Sequence, residues 1–229
     1  MVTVDNIFFD TCTYISVSKD ENITIRYTDD GSNPNAKSKV VDTDITIRKN
    51  SALKFRAFRQ GMIPSKIVSA SAFKNRNLSW ESISGTEANE RYDSGIDVLT
   101  DRIKGNFNFK SKEWNGYQDS IISFSFNLSE SKMIKGVALS TLVDHKSWIF
   151  SPKTISVIYS VPDGSVRTKH INIDYWDMTS DKFMNFIKMD IQPTLITGLT
   201  IHINMGPIPK WHAGKGKIPW FFIDEILIL

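Results

Sequence analysis

The sequence predicts an all-β protein built as two β-sandwiches, and three observations carry that prediction. Apolar and polar residues alternate with a period of two in segment after segment, turn-forming residues separate those segments, and no window of helical length holds an apolar stripe at i, i+3, i+4, i+7. The alternation runs through Ile23–Tyr27, Leu53–Ala57, Ile122–Leu128, Ile155–Tyr159 and Leu199–Met205. Side chains of a strand point to opposite faces in turn, so each segment offers one face to a core and one to water. Between them lie Asp30-Gly31, Gly61, Gly85, Gly95, Asp163-Gly164 and the loop Gly206-Pro207-Ile208-Pro209, the residue types that turns demand. Phe183, Met184 and Ile187 come nearest to a helical stripe, but their segment reads equally well as a strand starting at Asn185.

A chain of 229 residues is one large domain or two small ones. The polar stretch Lys74-Asn75-Arg76-Asn77 follows the strand-like Ile67–Phe73 and precedes a turn-rich region. It puts the break at about residue 75, giving domains 1–75 and 76–229. The first has room for about six or seven short strands and the second for a sandwich of about eight.

Composition excludes several classes. Apolar residues make up 41% of the chain, with 14 Phe, 6 Trp and 6 Tyr, which is globular protein and far from the signature of disorder. Wholly apolar runs are only a few residues long, as in Pro219–Ile223, so no membrane span is expected. The opening Met1-Val2-Thr3-Val4-Asp5 lacks the basic and apolar regions of a secretory signal, which can still lie upstream if the chain is a fragment. The 28 basic and 25 acidic residues give a net charge of +3 and no basic run, which leaves little field for nucleic acid. Cys12 is the single cysteine, which rules out an internal disulfide and a cysteine-zinc knuckle.

In the first domain, Ile23–Thr28 reads as a strand that ends at Asp30-Gly31, where Gly can take a positive φ, and Pro34 then fixes an extended exit. The segment resembles the C-terminal immunoglobulin-like module of chitobiases and β-hexosaminidases, whose signature is approximately I-x-Y-T-x-D-G-S-x-P-x-x-x-S. Ile25, Tyr27, Thr28, Asp30, Gly31, Ser32, Pro34 and Ser38 match it, and Leu53–Phe58 with Gly61 and Ser65 occupies the place of a second family segment. The resemblance covers about residues 1–73 and implies a non-catalytic immunoglobulin-like sandwich. Asp30, Ser32 and Ser38 then serve backbone amides of the turn, while Tyr27 and Phe55 belong to the core.

The second domain carries four blocks in order: Gly95–Gly105 leading to Trp114-Asn115-Gly116-Tyr117, Ser147–Val157, the Trp211-His212 loop, and Trp220–Ile226. Together they resemble a discoidin, or coagulation-factor type C, domain, the jelly-roll fold of family 32 carbohydrate-binding modules. The variant is similar to the domain appended to family 20 β-N-acetylhexosaminidases of Bacteroidetes. Two departures bear on loop geometry: Arg102 stands where that family usually has Gly, and Val161-Pro162 precedes Asp163-Gly164. The resemblance implies an accessory region of an exported glycoside hydrolase, in the periplasm, at the outer membrane or outside the cell.

Catalysis is not expected. Glycoside hydrolysis needs two carboxylates facing one bond at about 5–9.5 Å, and Asp224-Glu225 is the tempting pair. On an alternating strand, however, neighbouring side chains point to opposite faces, and the βα barrel that holds such a pair in hexosaminidases needs roughly 250 residues. His145, His170, His202 and His212 are scattered, His202 facing away from the apolar set of its strand, and no metalloprotease, P-loop or nucleophile-elbow motif occurs.

Sugar binding asks for less: an aromatic ring to stack on a pyranose and a few polar groups on loops. Trp148 with Asp144, His145 and Lys146 forms one such loop, and Trp211 with His212 and Lys215 another. Core packing is the alternative for Trp148, an even one for Trp211 and His212, and the default for Trp114, Tyr117 and Trp220. The expected partner is a glycan ending in an N-acetylhexosamine or galactose, alongside an upstream catalytic domain of the same polypeptide. A purely structural appendage is the second reading, and a phospholipid binder with Ile149-Phe150 and Ile218-Pro219-Trp220 as apolar spikes is a third. No cofactor is required. The resemblance places a candidate structural Ca²⁺ at the loop Leu99–Gly105, with Asp101 and Glu225 as the matching acids, though Arg102 brings a competing cation and a turn role for Asp101 is the default.

Overall fold

Alternation becomes strand in both parts of the chain. The structure is a computed structural model that describes residues 2–4, 7–9, 11–74, 80–173 and 182–229. Contacts divide it into two units, Met1–Arg76 and Asn77–Leu229, and each is all-β.

The first unit holds β1 (Val2–Val4), β2 (Phe8–Phe9), β3 (Thr13–Val17), β4 (Thr24–Thr28), β5 (Lys39–Val40), β6 (Ile45–Ile47), β7 (Ser51–Phe58) and β8 (Val68–Lys74). That is one or two more strands than expected, because pieces as short as Phe8–Phe9 and Lys39–Val40 carry no readable period. One sheet has the order β1-β3-β6 and the other β2-β8-β7-β4-β5. Ile15 and Ile47 from the first sheet meet Ile25, Leu53, Phe55 and Ala72 from the second in one core. The Asp30-Gly31 turn forms as the sequence indicated, with Gly31 at φ 84°. Asp30 accepts from the amide and hydroxyl of Ser32, at 2.9 and 2.6 Å, and the Ser38 hydroxyl accepts from Asn35 N–H at 3.0 Å. Phe55 is buried and stacks on Tyr27, which stays partly exposed.

The second unit holds β9 (Trp80–Gly85), β10 (Asn115–Tyr117), β11 (Ile121–Val143), β12 (Thr154–Ser160), β13 (Val166–Asn172), β14 (Phe183–Asn204) and β15 (Phe221–Ile228). Among the described residues seven strands stand where about eight were expected, and β11 and β14 are long and serve both layers. The first half of β11 pairs with β9 and with the second half of β14, which also pairs β12. The second half of β11 pairs with the first half of β14 and with β15. The register of β11 against β14 slips between Asn127 and Lys132 and again between Ile134 and Gly136, irregularities that let a strand bend out of one layer into the next. Phe183 and Met184 belong to β14, so this strand starts ahead of Asn185.

Ile122, Phe124 and Phe126 face a core shared with Ile155, Val157, Ile201, Ile203, Phe221 and Ile223. Each buried Phe or Ile contributes about 1.5–3 kcal/mol. A smaller apolar cluster covers the opposite side of β15 and the end of β11: Trp114, Leu142, Ile149 and Phe222, with Tyr92, Phe109, Met184 and Trp220 packed against it. All eight residues of β15 are therefore buried, where a strand wetted on one face would alternate. Trp114 and Tyr117 are core residues as expected, while Trp220 is only half-buried.

Candidate functional site

Asp224 and Glu225 lie at a bulge. Ser140 of β11 pairs with Glu225 and the next residue, Thr141, pairs with Ile223, which leaves Asp224 as the extra residue. Across it the inward-facing set changes parity, from Phe221 and Ile223 to Ile226 and Ile228. The expectation that the two carboxylates face opposite ways fails for that reason: both reach the loop at 101–105. Asp224 Oδ2 accepts from Lys104 Nζ and from Gly105 N–H, each at 2.6 Å. Glu225 Oε2 accepts from Arg102 N–H at 2.9 Å. Both side chains are 0% exposed, so neither can meet a glycosidic bond.

Burial sets their titration. Desolvation pushes the Glu225 carboxyl up to about 9, against the Arg102 amide that favours its ionised form. Asp224 is also raised by burial, with the Lys104 ammonium opposing. Desolvation raises Asp101 too, while the Ile103 N–H that it accepts at 2.7 Å works the other way. Asp101 thus takes the turn role.

This donor set does not fit a hard cation. Calcium wants six to eight oxygens, but Asp101 Oδ1, Asp224 Oδ2 and Glu225 Oε2 already accept from Ile103, from Lys104 and Gly105, and from Arg102, and the remaining buried Asp224 Oδ1 and Glu225 Oε1 are too few for that shell. Lys104 brings its own charge: its Nζ lies 4.8 Å from the Trp114 ring centroid and its side chain is 13% exposed. No group of three or more His, Cys, Asp or Glu among the described residues is placed to hold a metal ion.

The two aromatic loops come together. Beyond β11 the chain makes a single turn, His145–Ser147, whose cap Asp144 accepts from the Ser147 amide and from its hydroxyl, the latter at 2.8 Å. Trp148 closes the turn at φ 63°, a left-handed conformation that costs a bulky residue about 1–2 kcal/mol. Backbone bonds hold it there: Asp144 and Ile149 exchange N–H···O bonds at 3.0 Å, and Trp220 N–H donates to the Trp148 carbonyl at 2.9 Å.

The second loop, between β14 and β15, is closed by Ile208 N–H donating to Lys217 O at 2.8 Å and by Gly216 N–H donating to Ile208 O at 2.9 Å. His212 Nδ1 accepts from Gly214 N–H at 3.0 Å, which leaves Nε2 as the protonated nitrogen, 2.9 Å from the His145 carbonyl. Rings interlock around this bond. His145 stacks on Phe150 at 4.3 Å and meets Trp211 at 5.3 Å, and His212 stands edge-on to Trp148 and Trp211 at 5.7 and 5.6 Å.

Four of the six residues expected for sugar binding thus form one cluster, Trp148, His145, Trp211 and His212, with Lys146 and Lys215 exposed on its loops. His145 is buried and acts as a support. Lys217 escaped the sequence reading although it follows Lys215 by two residues; its Nζ sits 5.1 Å from the Trp148 ring centroid. A Cβ at Gly214 would lie 3.0 Å from the same indole, so a larger residue there would press the loop and Trp148 apart by a few tenths of an ångström. Ile149 and Phe150 are buried, which removes them as membrane spikes.

A groove of about 950 Å³ in the first unit is lined in part by Tyr27, Asp29, Ile45 and Leu53. Its one aromatic ring is already flanked by Phe55 and by Lys39 Nζ at 5.6 Å, so the aromatic loops of the second unit are the better candidate.

Residues 9–69 match the chitobiase/beta-hexosaminidase C-terminal domain family. The Asp30-Gly31 turn of the first unit falls inside the matched stretch. No curated protein matches the chain. Among solved structures, GH31 CBM32-2 bound to GalNAc is similar with a TM-score of 0.44 and 9% identity, covering 66% of this chain and 97% of that one. The lectin domain of lectinolysin complexed with Lewis B antigen has a TM-score of 0.41 and 8% identity over 65% of this chain and 91% of its own. CpGH89CBM32-6, produced by Clostridium perfringens, has a TM-score of 0.37 and 16% identity over 65% and 91%.

Proposed function

We propose that the chain is a pair of non-catalytic accessory modules of a glycoside hydrolase, in which the second module binds carbohydrate and the first is a spacer. The observation that carries the binding role is the His212–His145 bond, which joins two aromatic loops into one surface bearing Trp148, Trp211, Lys146 and Lys215. A pyranose presents an apolar face to such rings and hydroxyls to the polar groups beside them. The match of residues 9–69 to the chitobiase/beta-hexosaminidase C-terminal domain supports an upstream catalytic domain of the β-N-acetylhexosaminidase type. Glycans ending in N-acetylhexosamine or galactose follow as ligands, and the periplasm, outer membrane or extracellular space as the place of action. The reading needs no cofactor.

The test is a glycan array with N-acetylglucosamine, N-acetylgalactosamine and galactose termini, run on the wild type and on Trp148→Ala and Trp211→Ala. Binding that is lost in either variant, with circular dichroism unchanged, supports the module and locates its site. A folded wild type that binds nothing, with and without Ca²⁺, turns the reading to a structural appendage that packs on a catalytic domain.

A further inference from the structure

We propose that the aromatic loop surface prefers anionic sugars, rings carrying a carboxylate or a sulfate, over their neutral counterparts. The inference rests on the carbohydrate-binding reading and adds to it the charge of the ligand.

The two loops that the His212–His145 bond joins are strongly one-signed. Residues 144–153 carry Lys146 and Lys153, and residues 206–219 carry Lys210, Lys215 and Lys217, all five exposed. The single carboxylate in either stretch is Asp144, which is buried, holds Ser147 and pairs with Lys182 at 3.3 Å. It therefore presents no open negative charge to a ligand. The chain as a whole has 28 basic against 25 acidic residues, so overall composition does not account for this local excess. A cluster of like charges on a surface costs self-repulsion unless a counter-charge arrives.

The placement of the Lys217 ammonium connects that charge to the rings. Lys215 N–H donates to His212 O at 3.0 Å and Lys217 N–H to Gly214 O at 3.1 Å, so both lysines ride on the turn that packs against Trp148. Lys217 rests its ammonium over the Trp148 ring, 5.1 Å from the centroid, an attraction of about 0.5–1 kcal/mol at an exposed site. An acidic group on the ligand offers the ammonium a stronger partner and draws it off the indole, which opens that ring to the pyranose in the same step. Lysine is a compact point charge without the planar fork of arginine, so the surface takes carboxylate and sulfate alike.

The experiment uses the full chain and two matched pairs displayed on a surface: galacturonate against galactose, and N-acetylglucosamine sulfated on its primary hydroxyl against N-acetylglucosamine. The charged member of at least one pair is expected to bind about three- to tenfold more tightly at low salt, and the ratio narrows as added salt screens the lysines. The two pairs separate carboxylate from sulfate as the source of the charge. In Lys215→Gln/Lys217→Gln the charged-to-neutral ratio falls towards one. Equal binding of charged and neutral members, or a ratio that survives the double substitution, overturns the inference and leaves carbohydrate binding standing. A folded protein that binds no member of either pair and no glycan on the array removes both.

Discussion

His212 donates from Nε2 to the carbonyl of His145, 2.9 Å away across 67 residues of sequence, and one imidazole thereby fixes the spacing of two aromatic loops. His212→Ala removes this bond, the Gly214 contact to Nδ1 and three edge-on ring contacts, with Trp148, Phe150 and Trp211. Stability is expected to fall by about 1–2 kcal/mol, read as a lower urea midpoint. Glycan affinity falls further than stability, since Trp148 and Trp211 lose their common support. His212→Phe keeps the ring contacts and lacks both hydrogen bonds, so it should recover part of the stability and little of the binding. Binding at wild-type strength in His212→Ala would show that the loops act separately.

Lys104 is the internal cation of its loop. Its partner Asp224 is 0% exposed and 2.6 Å from the ammonium, and breaking a buried pair by removing one member costs about 3–5 kcal/mol because a charge is left alone. Lys104→Met is expected to lose most of that, and Lys104→Met/Asp224→Leu to regain a large part. The thermal midpoint of the wild type should be the same in EDTA and in millimolar Ca²⁺. A midpoint that rises with Ca²⁺ and falls with chelator would contradict the role of Lys104.

Glu225 gives the fold a pH dependence with a definite sign. Its carboxyl is raised from 4.5 to about 9 in the folded chain, so between those values the folded state holds a proton that the unfolded state has released. Stability is then highest below about pH 4.5 for this group, and falls as pH rises towards 9. Denaturant midpoints measured from pH 5 to pH 9 should decline, and Glu225→Gln, which keeps the neutral shape, should flatten the decline and be relatively more stable at the alkaline end. A wild-type profile that rises over this range would refute the protonated carboxyl.

Much of this was legible in the residues, and the exceptions have physical causes. Ile122–Leu128 and Leu199–Met205 face a core on one side only, so their period shows; the later half of β11 and all of β15 are covered on both sides, and continuous burial erases the period. The bulge left a trace that alternation overrode: two acids between Ile223 and Ile226 break the period of two at the point where β15 changes parity. Arg102, noted as standing where a glycine is usual, has φ 67°, the left-handed region that makes glycine the favoured residue there. Trp148 at φ 63° gave no such signal, since no turn residue marks it. The candidate sugar loops could be named separately from their tryptophans, but their meeting depends on a His–carbonyl bond between distant residues, which no local pattern announces. Lys217 was hidden for the same reason: only the folded loop lays it over Trp148.

Gly105 supplies a last test of how tightly the 101–105 loop is seated. A Cβ built there would overlap the indole of Trp114, which is fully buried and donates from Nε1 to Asn106 O at 2.9 Å. The ring cannot retreat without giving up that bond and its contact with Lys104. Gly105→Ala is expected to cost about 1–3 kcal/mol through overpacking, part of it from displacing the Gly105 N–H that donates to Asp224 at 2.6 Å. Because the same shift disturbs the Lys104–Asp224 pair, the losses of Gly105→Ala and Lys104→Met should fall short of additive in the double variant. Additive losses would place the glycine and the lysine in independent roles, and the loop would then be held by its parts rather than as one latch.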